Sequence, residues 1–155
     1  MPKKSFLILV AIVFSVFVTV PVLGQTTRKS VSAAEVTGTF RHNFTGKFRG
    51  SSSEVKIVSI GKGKLKVAFD LVYPYEIGDG ELSANTGTAD GEAAIKGDTA
   101  VYSSNEFGPC RITIKFVKPG QIKVTQEGAD ADCGFGHNVI ADGIYRKVSS
   151  AKPKF

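Results

Sequence analysis

Past residue 24, this 155-residue sequence shows no helical periodicity, no internal repeat of fixed period and no second apolar run long enough to cross a membrane. Those absences argue against a helical bundle, a repeat array and a membrane protein of several spanning helices. Only two histidines occur, His42 and His137, and no serine lies in a nucleophile-elbow pattern, so nothing points to a Ser-His-Asp or Cys-His triad. The Gly134-Phe135-Gly136 run lacks a third glycine, a lysine and a following helix, which excludes a phosphate loop. No cysteine stands at the end of the apolar N-terminal run, which excludes a lipid anchor on a lipobox cysteine. With no catalytic, metal or nucleotide signature in the chain, the expectation is a non-enzymatic protein without a cofactor.

The strongest feature present is at the start. Lys3 and Lys4 precede an uninterrupted apolar run from Phe6 to Val20, Pro21 breaks it, and Val22-Leu23-Gly24 offers small residues for a peptidase. This is the three-part layout of a secretory signal peptide, with cleavage expected after Gly24. A cut after Ala33 or Ala34 and an uncleaved anchor are the alternatives. The chain is therefore expected to be extracytoplasmic, periplasmic or secreted, and to meet the membrane only through the signal during export. Removing residues 1–24 takes away Lys3 and Lys4 and no acid, so the net charge falls from +6 to +4. That is too little, without a concentrated patch, to argue for nucleic acid as a partner. Cys110 and Cys133 both lie in the mature part, and a cysteine pair in a small exported domain reads most simply as a disulfide. A redox thiol would require an activating neighbour and usually a tighter spacing.

Residues 25–33 are small and polar and read as a flexible lead-in; residues 149–155 read as a short tail. Between them, residues 34–148 alternate with period two and form a single β domain. The clearest strand is Lys64 to Tyr73, where Leu65, Val67, Phe69 and Leu71 alternate with Lys64, Lys66, Ala68 and Asp70. Val55 to Ile60 reads as its partner across Gly61-Lys62-Gly63. Cys110 shares the parity of Ile112, Ile114 and Phe116, so its sulfur is expected on the core side; Pro119-Gly120 then turns the chain toward Ile122 and Val124. Val36 to Arg41, Gly91 to Lys96, Thr99 to Ser103 and Ile144 to Val148 complete the set. The expected fold is all-β: a small antiparallel barrel of about eight strands or a two-sheet sandwich, with one disulfide.

The richest stretch for a site is Cys133-Gly134-Phe135-Gly136-His137-Asn138. Phe135, His137 and Asn138 are the candidate partner-binding loop, presenting polar groups at a barrel mouth; the plainer reading is that the turn and Phe135 cover one end of the core. The acidic stretch from Glu76 to Asp98 reads as solvated loops between strands, with calcium binding as the weaker alternative because helix–loop–helix ligand spacing is absent. Glu81 and Glu92 resemble a glycosidase carboxylate pair only by chance. Near the start, Arg41, Lys47 and Arg49 interleave with Phe40, Phe44 and Phe48, a pattern that stacks single-stranded nucleic acid but that export redirects toward an anionic cell-surface polymer.

Gly97 to Tyr102, Cys110 with Ile112, Ile114 and Phe116, Val124-Thr125-Gln126, Cys133 to Gly136 and Gly143 to Arg146 together resemble a group of small exported bacterial β-barrel proteins of unassigned function. More distantly, they resemble the periplasmic lysozyme inhibitors, compact barrels pinned by a disulfide. The resemblance covers the last third of the chain and transfers no inhibitory residue; such inhibitors are expected to be acidic, whereas this mature chain is basic. The functional expectation is an exported binding domain for a small apolar ligand in the barrel or for a protein or glycan partner at its loops. The alternative is a lysozyme-inhibitor-like defence protein.

Overall fold

Alternation builds the wall and a run of tight turns closes it. In the computed structural model, which describes residues 30–155, eight strands form a closed antiparallel barrel in sequence order. The expected signal peptide, residues 1–24, and the first residues of the expected lead-in lie outside the described residues. The strands are β1 (Gly38–Asn43), β2 (Ser52–Gly61), β3 (Lys64–Ile77), β4 (Glu81–Lys96), β5 (Thr99–Ser104), β6 (Cys110–Lys118), β7 (Gln121–Glu127) and β8 (Gly143–Ser149). β8 returns to pair with β1, so closure, not a second sheet, removes the edges. No helix among the described residues is long and apolar enough to cross a membrane.

The residues of one parity fill the interior. Phe40, Val55, Ile57, Leu65, Val67, Phe69, Leu71, Ile112, Ile114, Phe116, Ile122, Val124 and Tyr145 are buried in one continuous cluster. In a barrel of about eight strands the interior is just wide enough for such side chains to fill it. The outward faces carry Lys64, Lys66, Asp90, Glu92, Arg111, Lys115 and Lys123, the reverse of the apolar belt of an outer-membrane barrel.

The two ends of the barrel differ. One is made of tight turns. Lys62 and Gly63, at φ 52° and 70°, form the left-handed corner that a twisted hairpin favours, and short turns also join β4 to β5 and β6 to β7. A short helix, α1 (Ala33–Val36), closes this end. Ser32 and Glu35 form its reciprocal capping box, and Val36 is buried against the core. Lys147 of β8 holds α1 in place, its Nζ donating to the carbonyls of Ala34, Glu35 and Thr37 at 2.7–3.0 Å. The other end gathers the longer connections, residues 44–51, 78–80, 105–109 and 128–142.

The stretch from Glu76 to Asp98 corrects the sequence reading. It is not a set of solvated loops: β4 runs unbroken from Glu81 to Lys96 and pairs with β3 from Ile77 back to Lys64. The inward positions of β4 are Gly87, Ala89, Gly91 and Ala93, which alternate in size but not in hydrophobicity, so the apolar period is invisible. Small residues are required there because large rings from other elements cover them. A Cβ on Gly91 would come within 3.0 Å of the Tyr102 ring, and one on Gly87 within 2.7 Å of Phe135. Glu81 and Glu92, an odd number of positions apart on one strand, point to opposite faces about 36 Å apart, beyond any glycosidase carboxylate separation.

Candidate functional site

The disulfide fixes the longest connection to the barrel. Cys110 opens β6 with its side chain inward, and Cys133 joins it from the 128–142 connection. From there the chain is folded into the mouth. Asp130 accepts backbone N–H bonds from Ala131 at 2.8 Å and Asn138 at 2.6 Å, and these bonds hold its carboxyl below the usual aspartate value. Gly136 N–H donates to the Thr86 carbonyl at 3.1 Å, and Asn85 Nδ2 donates to the His137 carbonyl at 2.7 Å. These bonds lay the 135–138 segment along the unpaired edge of β4.

The three candidate loop residues therefore separate. Phe135 is buried against Gly87 and covers the core. His137 stands out in solvent, its side chain 83% exposed, with Nδ1 4.0 Å from Asp130 Oδ2. Asn138 occupies the left-handed region at φ 62°, a conformation asparagine tolerates, and lines the surface beside it.

What the candidate loop borders was not legible in the sequence. β3 pairs with β2 only as far as Asp70, and β4 pairs with β5 only through Ala93–Lys96, so the rest of the β3–β4 hairpin projects as a two-stranded arm over the mouth. Tyr73 and Tyr75 share the inward parity of Leu71 but lie beyond the packed core, their rings stacked at 6.4 Å and 25°. With Asn85, His137 and Asn138 they line a recess of about 390 Å³. A second recess of about 190 Å³ adjoins it, formed by His42, Phe44, Ser53, Val72, Ile140, Asp142 and Tyr145 together with the shared Tyr73 and Asn138. The result is one two-lobed cleft between the arm, β1 and the 128–142 connection.

The polar groups of the second lobe are locally fixed. His42 Nδ1 lies 3.0 Å from the Ile144 carbonyl, which can only accept, so the neutral ring carries its proton on Nδ1 and leaves Nε2 as an acceptor. The His42 ring is held edge-on to Phe44 at 5.2 Å and tilted against Tyr145 at 5.6 Å. Tyr145 donates to the Ala141 carbonyl at 3.0 Å, and burial raises its pKa far above the ordinary tyrosine value. Asp142 Oδ1 accepts from Gln126 N–H at 2.6 Å, which anchors the C-terminal end of the connection. Ser53 Oγ accepts from Val72 N–H at 3.0 Å and is buried, not poised as a nucleophile.

Two other recesses lie on the convex outside of the sheet. One, of about 310 Å³, is where the C-terminal tail crosses β2, β3 and β4, with Lys66 Nζ 4.6 Å above the Phe155 ring. The other, of about 450 Å³, is flanked by the Lys64–Glu92 ion pair at 2.7 Å. Neither draws on the long connections. Among the described residues, no group of three or more His, Cys, Asp or Glu side chains is placed to hold a metal ion. The interleaved Arg41, Lys47 and Arg49 do not form a free cationic stripe either: Arg41 Nε bonds Glu54 at 2.9 Å and Lys47 pairs with Glu76. The chain matches no protein-family model, no curated protein and no solved structure.

Proposed function

We propose that this protein is an exported, non-catalytic binding domain that takes a glycan chain in the cleft at the long-loop end of the barrel. The observation that carries this reading is the pair of recesses sharing Tyr73 and Asn138, with stacked aromatic faces beside fixed amide, imidazole and carboxylate groups. A pyranose has apolar C–H faces that lie on aromatic rings and a rim of hydroxyls that need donors and acceptors together. A purely apolar ligand would strip water from Asn85, Asn138, His137 and Asp142 without replacing their hydrogen bonds. The filled interior supports placing the partner at the loops.

The test is a titration of the exported protein with neutral, acidic and N-acetylated oligosaccharides, followed by NMR. Binding should perturb the Tyr73, Tyr75 and Asn138 resonances, and Tyr73→Ala should weaken it about tenfold, the worth of about 1.5 kcal/mol from one aromatic face. Unperturbed cleft resonances with every oligosaccharide, or undiminished binding by Tyr73→Ala, would refute the reading.

The lysozyme-inhibitor-like reading is favoured by one separate feature. Glu76 is already paired with Lys47, but the projecting arm ends in Asp79 and Glu81 beside the exposed Ile77 and Leu82, an acidic and apolar tip suited to a cationic enzyme although the mature chain is basic. Lysozymes of several types left fully active in a turbidity assay would remove it.

A further inference from the structure

Charge is segregated along the barrel. β6 and β8 contain no acidic residue, and the only one in β7, Glu127, lies at the long-loop end, 3.7 Å from Arg111. Toward the tight-turn end the same three strands carry Lys115, Lys118, Lys123 and Arg146, and none of these has an ion-pair partner among the described residues. Lys115 and Lys123 stand directly opposite each other in the β6–β7 ladder, and Arg146 lies opposite Arg41 in the β8–β1 ladder. Like charges placed opposite one another destabilise a sheet, so this arrangement does not serve the fold.

Aliphatic side chains are interleaved with the cations. Val117, Ile144 and Val148 are 38%, 41% and 48% exposed, and Ile144 lies directly opposite Lys123, continuing the Lys115–Lys123 row. A soluble polyanion would satisfy the charges and leave these side chains in water. A bilayer surface satisfies both, since anionic headgroups meet the cations and the aliphatics enter the headgroup–acyl boundary.

We propose that the tight-turn half of the β6–β7–β8 wall docks on an anionic phospholipid bilayer and holds the long-loop cleft away from it. This rests on the wall alone and does not depend on what the cleft binds.

The experiment is co-sedimentation of the exported protein with vesicles of pure phosphatidylcholine and of phosphatidylcholine doped with phosphatidylglycerol. Binding should require phosphatidylglycerol and weaken with added salt. Binding through an uncleaved Phe6–Val20 run would be indifferent to lipid charge. Each lysine removed near an anionic surface should weaken binding about fivefold, so Lys115→Gln/Lys123→Gln should bind about 25-fold more weakly. That variant should melt no lower than the parent, because it relieves a like-charge contact, and this separates lost docking from lost folding. Ile144→Ser should weaken binding further at unchanged charge. Equal binding to neutral vesicles, undiminished binding by the double variant, or capture of soluble polyglutamate without any vesicle binding would each overturn the proposal.

Discussion

Replacing Gly87 with alanine should destabilise the barrel, although alanine is ordinarily the better strand residue by about 0.5–1 kcal/mol. A Cβ at this position would lie 2.7 Å from Phe135 Cδ1, 2.8 Å from its Cβ and 2.9 Å from its Cγ. Turning the ring relieves only part of this, because the nearest atoms include the Phe135 Cβ itself. The backbone of the loop must move, and the Gly136–Thr86 and Asn85–His137 bonds resist that movement. Overpacking of this kind costs about 1–3 kcal/mol, so after the strand gain a net loss centred on about 1 kcal/mol and reaching about 2.5 kcal/mol remains. Urea unfolding followed by far-UV circular dichroism suits a chain without tryptophan, and the midpoint should fall by roughly 1 M at a typical slope. Gly78→Ala is the control. Nothing lies within 4 Å of a Cβ there and the backbone is not left-handed, so it should stabilise by about 0.4–1 kcal/mol. Opposite signs at the two glycines are required. A Gly87→Ala protein as stable as its parent would mean that Phe135 does not seat on β4 and that the cleft wall it supports is wrongly built.

Tyr145→Phe should cost about 1 kcal/mol, because the Ala141 carbonyl loses its donor. The folded-state pKa of Tyr145 is raised above the unfolded value of 10.0, so its contribution is complete below pH 10 and is lost as pH rises toward the folded value. An absorbance titration at alkaline pH should therefore show Tyr145 ionising only with unfolding, and Tyr145→Phe should abolish that step. Cys110→Ser/Cys133→Ser should lose about 3 kcal/mol, the loop-closure contribution for residues 23 apart, read as a lower urea midpoint.

The two lobes of the cleft explain why only part of the site was visible beforehand. The 133–138 loop stood out through its glycines, histidine and cysteine, but its role divides by residue: Phe135 turns inward while His137 and Asn138 face out. By alternation alone the strand ends at Tyr73, with Tyr75 beyond it. Their importance arises because β4 pairs with β3 far past the barrel wall, and that pairing is hidden in a strand whose inner face is glycine and alanine. His42, Phe44 and Asp142 are separated by up to 100 positions and carry no shared motif; β1 and the 128–142 connection bring them together only when the barrel closes.

The sequence by itself determined the all-β class, the strands with alternating large apolar residues, the inward cysteine parity and the tight turns. Each of these follows from local chemistry: period-two burial, left-handed turn geometry and proline or glycine punctuation. Tertiary structure decided closure into a barrel, the reach of β4, the cleft, and the cationic wall opposite in charge to the arm. Those depend on which strands become neighbours, and neighbour identity sets both the cross-strand pairing of like charges and the rings that β4 must leave room for. Period-two patterning states that a residue faces inward; only long-range pairing states what it meets there.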